Sequence, residues 1–168
     1  ITDDAPGEVV LSLRDAVEAA RAEAWGLRYA VTVLSTRATG EAAEEGTRLG
    51  HALSLQLPGQ PPLALLVGGE PVVALPADAP PGGRMQHAAL AAAIRIAGTS
   101  AVVLAAGTDG RDGATEAAGA LVDGTTVARL RSAGIEPSVA LASCDAHRAL
   151  AAVGDLLPAR ATGTNVGD

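Results

Sequence analysis

The sequence predicts an α/β domain, with a layered sheet of mixed strand direction and helices on both faces. Three observations predict it. Stretches of helical length and periodicity alternate with short apolar runs of strand length. Turns rich in glycine and proline separate these stretches. The length of 168 residues fits one domain and is enough to bury a core without disulfides.

Each element rests on its own local pattern. Helices are predicted where small or apolar residues recur at helical spacing: residues 9–24, 41–55, 85–96, 114–120 and 127–133, with one or two short helices in 137–150. Strands are predicted in the short β-branched or apolar runs: residues 29–35, 63–67, 71–75 and 100–106. Gly26 and Pro58 are expected to end the first two helices. The glycine-rich end, residues 159–168, has no periodicity.

Two of these strands carry further expectations. The runs 63–67 and 71–75 flank a Gly-Gly-Glu turn, so they are predicted to pair as a hairpin. Residues 100–106 form the most apolar run, so they are predicted to lie at the centre of the sheet.

Composition excludes several functions. The net charge is −7, all non-histidine basic residues are Arg, and aromatic residues make up 1% with no Phe. The core must therefore consist of Ala, Val, Leu and Ile. We expect no nucleic-acid partner, because an acidic chain repels phosphates. No apolar run is long enough to span a bilayer, so no membrane association is expected.

The missing lysine and the single cysteine limit the chemistry further. Any catalytic or phosphate-binding lysine must come from elsewhere. Cys144 has no partner for an intramolecular disulfide, and we interpret it as a structural thiol. The sequence opens in a polar stretch at residues 2–7 without Met, which we interpret as a cut end of a longer chain. No signal peptide is visible, so a cytoplasmic location is expected.

The strongest candidate for chemistry is the loop Gly-Thr-Asp-Gly-Arg-Asp-Gly at residues 107–113, directly after an apolar strand. Ligands of open α/β sheets bind beyond the carboxyl ends of strands, and glycines let the backbone approach a ligand. Asp109 and Asp112 are candidate Mg²⁺ ligands, or groups that orient a hydroxyl. The alternative is a turn in which both aspartates cap backbone amides. A Walker A loop is excluded, because Gly-Lys-Ser/Thr is missing.

Three weaker motifs accompany this loop. Glu70 follows Gly-Gly after a strand and is either a cleft carboxylate or a surface turn residue. Arg84 follows Gly82 and Gly83 at a helix start, where backbone amides favour an anion and a guanidinium can grip a carboxylate or phosphate. A terminal Thr-Gly-Thr-Asn run is either a polar ligand loop or a frayed end. The isolated histidines His51, His87 and His147 are interpreted as structural or exposed.

Taken together, these blocks resemble the C-terminal MOFRL domain of class II glycerate kinases, whose relatives are often labelled hydroxypyruvate reductases. The matching blocks follow the family order and cover nearly the whole chain: residues 33–35, 40–42, 68–70, 82–84, 107–113, 117–119, 123–125 and 162–166. No single block is specific, whereas the order and spacing of several are.

The resemblance implies an ATP- and Mg²⁺-dependent phosphorylation of D-glycerate to 2-phosphoglycerate, in a cleft shared with a missing N-terminal domain of the same protein. That domain would supply the lysine, so the isolated chain is expected to be inactive. Arg84, Asp109 and Asp112 would be the catalytic residues, with both aspartates near the metal. The substrate would be contacted by Glu70, Gly82, Gly83, Thr108, Thr164 and Asn165.

The sequence departs from the family pattern at presumed site positions. Pro71 and Val72 replace two threonines, and Met85 and His87 replace an asparagine and a glutamate. An Asn-Asp-Ser-like stretch is expected where Cys144 begins Cys-Asp-Ala. These departures leave two alternatives open: a degenerate domain that binds a small acid or a partner, and hydroxypyruvate reduction. A dinucleotide-binding Gly-x-Gly-x-x-Gly is missing, which weighs against reduction.

Overall fold

The computed structural model describes residues 11–57 and 59–167, so the predicted loop 2–7 and the helix stop at Pro58 lie outside the described residues. Helices and strands alternate along the chain, which confirms the α/β class. The elements are α1 Leu13–Gly26, β1 Ala30–Ala38, α2 Ala42–Ser54, β2 Leu63–Gly69, α3 Arg84–Ile96, β3 Val102–Ala106, β4 Ala117–Asp123, α4 Thr126–Ser132, α5 Pro137–Ala142, α6 Ala146–Ala152 and β5 Leu156–Pro158.

Both predicted strand directions occur, but in two separate sheets. Strands β1 and β2 pair in parallel, with Ala30 opposite Leu63. Strands β3, β4 and β5 form an antiparallel sheet in that order, with Leu104 opposite Leu121. Helix α1 packs on β1 and β2, while α3 packs on β3 and β4. Helix α3 also packs on α2, which lies between β1 and β2 in the chain.

Helix α3 forms the centre of the core. Its residues 85–93 are buried on every side, together with Ile96. Apart from Gln86 and His87 these residues are apolar, as is typical of a helix in an interior, and the small alanines let its neighbours come close. A Cβ placed on Gly46 of α2 would lie 2.0 Å from the carbonyl oxygen of Ala88. As predicted, the main core cluster consists of Ala, Val, Leu and Ile, with Leu90 and Leu130 fully buried.

Helix α1 begins three to four residues later than the start predicted at Val9, because Ser12 caps it. The Ser12 hydroxyl accepts from the Asp15 amide, and the Asp15 carboxylate accepts from the Ser12 amide at 2.8 Å. This capping box satisfies two amides that the first turn leaves unpaired. Val17 then buries its side chain against Gly68 of β2, so the cap sets which face of α1 meets the sheet.

The predicted hairpin over residues 63–75 is wrong. Strand β2 ends at Gly69, and the next segment forms one isolated parallel bridge, in which Val72 pairs with Glu41. Pro71 has no amide hydrogen to donate to a hairpin ladder. Val72 donates instead to the Gly40 carbonyl and accepts from the Ala42 amide. After β2 the chain therefore runs beside the start of α2 and does not turn back along β2.

The antiparallel sheet corrects two further predictions. Residues 114–120 do not form a helix, since β4 begins at Ala117 and pairs with strands on both sides. Buried pairing on both edges outweighs the helix propensity of alanine. Strand β4 is therefore central, whereas the apolar β3 is an edge strand with Val102 and Leu104 exposed. Strand β5 was not predicted. No described helix is both long and apolar enough to cross a membrane.

Candidate functional site

A cavity of about 620 Å³ lies where β2 ends, α3 begins and the loop after β3 turns. It brings together motifs that are far apart in the sequence. The predicted site residues on its wall are Glu70, Gly82, Gly83, Arg84, Asp109, Asp112 and Asn165. Thr108 and Thr164 are not part of the wall. The four chain segments expected to form one site therefore do meet, and the resulting wall is both polar and apolar.

Asp112 caps helix α3. Its Oδ1 accepts from the Met85 amide at 3.0 Å and its Oδ2 accepts from the Gln86 amide at 2.8 Å. Helix α3 starts after Gly83, which has no side chain to cap it, so Asp112 supplies the missing acceptors from another part of the chain. The anion at this helix start is thus the protein's own carboxylate. Burial raises the pKa of Asp112, and the two amide hydrogen bonds oppose that rise.

The two glycine motifs fit against each other, which explains why both are glycine-rich. A Cβ on Gly83 would lie 2.2 Å from the Asp112 carboxylate. Gly113 has a φ of +61°, and a Cβ there would lie 2.1 Å from the Gly82 carbonyl oxygen. Side chains at either position would separate the loop from the helix start. Gly83 and Gly113 therefore allow the close approach of Asp112, whereas a Cβ on Gly82 would make only an ordinary contact.

Arg84 and Glu70 form an ion pair on the cavity wall. The Arg84 Nη1 lies 3.2 Å from the Glu70 Oε1, and the Glu70 side chain is 63% exposed. Arg84 is the first residue of α3, where the helix dipole disfavours a positive charge. Two nearby carboxylates, Glu70 and Asp112, offset this, and Arg84 in turn lowers the pKa of Asp112 in opposition to burial. The guanidinium is thus held at the cavity by its acidic neighbours.

Asp109 is half-buried on the wall of the same cavity. Its Oδ1 accepts from the Arg111 amide at 2.8 Å, which tightens the loop. No donor in the described part of the chain hydrogen-bonds its Oδ2.

The final segment of the chain is tied to this loop by threonines. The hydroxyls of Thr162 and Thr164 both donate to the Thr108 carbonyl oxygen, at 2.5 and 3.3 Å. The Thr108 hydroxyl accepts from the Val166 amide at 3.3 Å. Thr108 and Thr164 thus hold the segment in place, and Asn165 is the residue that reaches the cavity wall.

Three further wall residues were not among the predicted site residues: His87, Arg111 and Cys144. His87 lies three positions after Arg84, which places both on one face of α3, and this spacing was available as a signal. Arg111 lies between the two aspartates of the loop. Of the family departures, Pro71, Val72 and His87 line the cavity, whereas Met85 is buried outside the lining. Most of the altered positions therefore do face the site.

We expect His87 to make the stability of the fold depend on pH. Burial lowers the pKa of His87 from 6.5, and Glu41, 3.9 Å away, opposes this. Below pH 6.5 the unfolded chain takes up a proton at this histidine more readily than the folded chain does. The free energy of unfolding therefore decreases as the pH is lowered. We expect His87→Gln to flatten this slope between pH 7 and pH 5, as measured by urea unfolding. His51→Gln is the control, and an unchanged slope in His87→Gln would contradict the expectation.

Cys144 occupies a strained backbone position. Its φ is +54°, in the left-handed region that favours glycine and asparagine. The family resemblance predicts an Asn-Asp-Ser-like stretch here, which fits that conformation. We expect Cys144→Asn to raise the free energy of unfolding above that of Cys144→Ala by about 0.5–1 kcal/mol. Thermal unfolding of both variants checks this, and equal stability would show that the strain is negligible.

The described residues contain no group of three or more His, Cys, Asp or Glu side chains placed to hold a metal ion. A metal at this wall would therefore draw only one or two ligands from the described part of the chain. Asp109 is available for that role, while both Asp112 oxygens already accept amides. This arrangement fits Mg²⁺, which usually takes one or two protein carboxylates together with phosphate oxygens.

Comparison with known proteins places these motifs in a family. Residues 63–168 match the MOFRL family. The chain is 38% identical over 153 residues to a glycerate 2-kinase of Pyrococcus horikoshii, covering 89% of this chain and 35% of that protein. It is 40% identical over 159 residues to an Agrobacterium vitis relative named as a hydroxypyruvate reductase, covering 91% of this chain and 36% of the relative.

A solved structure agrees with this. The crystal structure of glycerate kinase from Thermotoga maritima superposes with a TM-score of 0.86 at 34% identity, covering 95% of this chain and 40% of that one. The chain spans just over a third of the length of the curated relatives it matches. The family match covers more than half of the chain and includes the helix start, the loop and the terminal segment that build the cavity. The chain therefore belongs to the MOFRL family.

Proposed function

We propose that this chain is the C-terminal part of a glycerate 2-kinase, which transfers the γ-phosphoryl group of ATP to the 2-hydroxyl of D-glycerate and yields 2-phosphoglycerate and ADP. The cavity would be one wall of the active site, and an N-terminal domain of the same protein would be the other. The observation that carries the proposal is the meeting of Glu70, Arg84 and Asp109 on one cavity wall, in a chain similar to glycerate kinases.

Arg84 would bind the carboxylate of glycerate. A guanidinium offers two parallel N–H donors to a carboxylate, which fixes orientation as well as charge. One of its partners, Glu70, lies 3.2 Å away and is largely exposed, and exposed ion pairs contribute little free energy. An incoming carboxylate can therefore take the place of Glu70 at small cost. Glu70 would then contribute to the cleft as a nearby acceptor.

Asp109 would orient the reacting hydroxyl or contact Mg²⁺, and Asp112 would hold the loop that carries it. Bound Mg²⁺ would neutralise charge on the β- and γ-phosphates of ATP. Phosphoryl transfer depends mainly on positioning and charge, so a loop fixed by Asp112 at the start of α3 suits the task. The chain has no lysine, and the N-terminal domain would supply that group. Besides Arg84, Arg111 also places a positive charge on this wall.

The terminal segment would complete the substrate site. Asn165 faces the cavity and would hydrogen-bond the ligand. Thr108 and Thr164 would act indirectly, through the hydroxyl bonds that hold the segment on the loop. Gly82 and Gly83 would contribute backbone at the helix start.

The test uses the full-length protein that contains this chain. It is incubated with ATP, Mg²⁺ and D-glycerate, and the product is identified by ³¹P NMR. We expect 2-phosphoglycerate, without 3-phosphoglycerate. D-glycerate binding without turnover would contradict the kinase and support the degenerate binding domain, whose case rests on Pro71, Val72 and His87 at the wall. Oxidation of NADH with hydroxypyruvate would instead support the reductase activity named for the Agrobacterium relative.

A further inference from the structure

A buried amide links the start of α3 to the loop of the proposed site. Gln86 is fully buried, and its backbone amide donates to the Asp112 carboxylate at 2.8 Å. Its side-chain nitrogen donates to the Thr115 hydroxyl at 3.0 Å and to the Asp112 carbonyl oxygen at 3.4 Å. One residue thus holds Asp112 through both backbone and side chain.

The orientation of this amide follows from its partners. The Asp112 carbonyl oxygen can only accept, so the Gln86 atom facing it must be the nitrogen. The Gln86 oxygen then faces the His147 Nδ1, 2.7 Å away. Since that oxygen can only accept, His147 must carry a proton on Nδ1. This contact joins residues that lie 61 positions apart in the chain.

His147 also contacts the far end of the same loop. Its Nε2 lies 3.4 Å from the carboxylate of Glu116, directly before β4. The imidazole on α6 thus reaches the loop at two places: at Asp112 and Thr115 through Gln86, and at Glu116 directly. The His147 side chain is 18% exposed and Gln86 is fully buried, so solvent competes only weakly for the bond between them.

We propose that His147 is a positioning residue for the phosphoryl transfer: through Gln86 it fixes the loop of residues 107–116, so that Asp109 keeps its place on the cavity wall. This inference rests on the proposed function. His147 touches no reacting group, so its effect belongs in the rate of the chemical step. Binding of glycerate, assigned to Arg84, should be left alone.

Two replacements separate the two contacts of the imidazole. Asparagine places its amide nitrogen near the position of Nδ1, and glutamine places its nitrogen near that of Nε2. His147→Asn should therefore keep the bond to Gln86, while His147→Gln should lose it and keep the contact with Glu116. In the full-length protein we expect His147→Gln to lower kcat about tenfold with KM for D-glycerate unchanged. His147→Asn should stay within about threefold of the wild-type kcat.

A second measurement does not depend on turnover. Amide hydrogen exchange at Arg111 and Asp112 reports the order of the loop. We expect exchange there to speed up about tenfold in His147→Gln, and not in His147→Asn, since one buried hydrogen bond is lost. If the wild type lacks kinase activity, the proposed function fails while exchange still decides whether His147 fixes the loop. Equal behaviour of the two variants in exchange, or a rise in KM alone, overturns the inference.

Discussion

Arg84→Ala is expected to lower kcat/KM for D-glycerate by at least about a hundredfold in the full-length protein, because it removes a charge-assisted, two-pronged hydrogen bond to the substrate carboxylate. The loss should fall mainly on KM, since the carboxylate is held equally before and during phosphoryl transfer. Steady-state kinetics with varied D-glycerate and saturating ATP checks this.

The fold should survive that substitution. Arg84 is the first residue of α3 and its side chain is 34% exposed, in a place where the helix dipole disfavours a cation. The matched control is Arg95→Ala, in the last turn of the same helix, where the guanidinium contacts His51 outside the cavity. Arg95→Ala should keep the wild-type KM. Wild-type kcat/KM in Arg84→Ala would refute the role given to Arg84.

Asp112→Ala is expected to lower the free energy of unfolding by about 2–4 kcal/mol, because it removes a helix cap and leaves two buried backbone amides without an acceptor. The Asp112 residue is 3% exposed, so water cannot readily replace its carboxylate. Gly83, which packs against this carboxylate, has no side chain of its own that could replace it as an acceptor. Urea unfolding followed by circular dichroism measures the change.

Asp109→Ala is the control, because it lies in the same loop and its carboxylate accepts only from the local Arg111 amide among the contacts described. It should cost less than about 1 kcal/mol. If both aspartate variants lose the same stability, Asp112 is not the cap of α3. If Asp112→Ala is as stable as the wild type, water or another group satisfies the Met85 and Gln86 amides.

The sequence alone predicted most of the candidate site. Glu70, Arg84, Asp109 and Asn165 stand beside glycine-rich turns in the sequence, and all of them line one cavity. Such positions can be found in a sequence because ends of apolar strands and starts of helices are local features, recognisable from a few residues. His87 was missed as a wall residue, although its spacing from Arg84 already placed it on the same helix face.

The division of labour between the two aspartates was not predictable from the loop itself. Asp109 and Asp112 have the same chemistry and similar glycine neighbours. Asp112 is a buried cap only because the start of α3 packs against the loop. Met85, whose amide it accepts, lies 27 positions earlier in the chain. The alternative in which the aspartates cap backbone amides is therefore correct for Asp112, although the amides that it caps belong to another element, helix α3. Asp109 also accepts an amide, but a local one, and stays on the wall.

The same limit explains the errors in the fold. Residues 114–120 are alanine-rich and predict a helix, yet Ala117–Asp123 forms the central strand because strands lie on both sides of it. Residues 71–75 look like a strand, but their partner is the start of α2.

By itself the sequence determined the α/β class, the aromatic-free core and the helices α1, α2 and α3, because periodicity, capping and apolar content act within a turn or two of the chain. Only the tertiary structure decided the separation into two sheets, the central place of β4 and the role of Asp112. Each of these depends on which distant segment supplies the hydrogen-bond partners, and buried backbone groups take whichever partner packing brings to them.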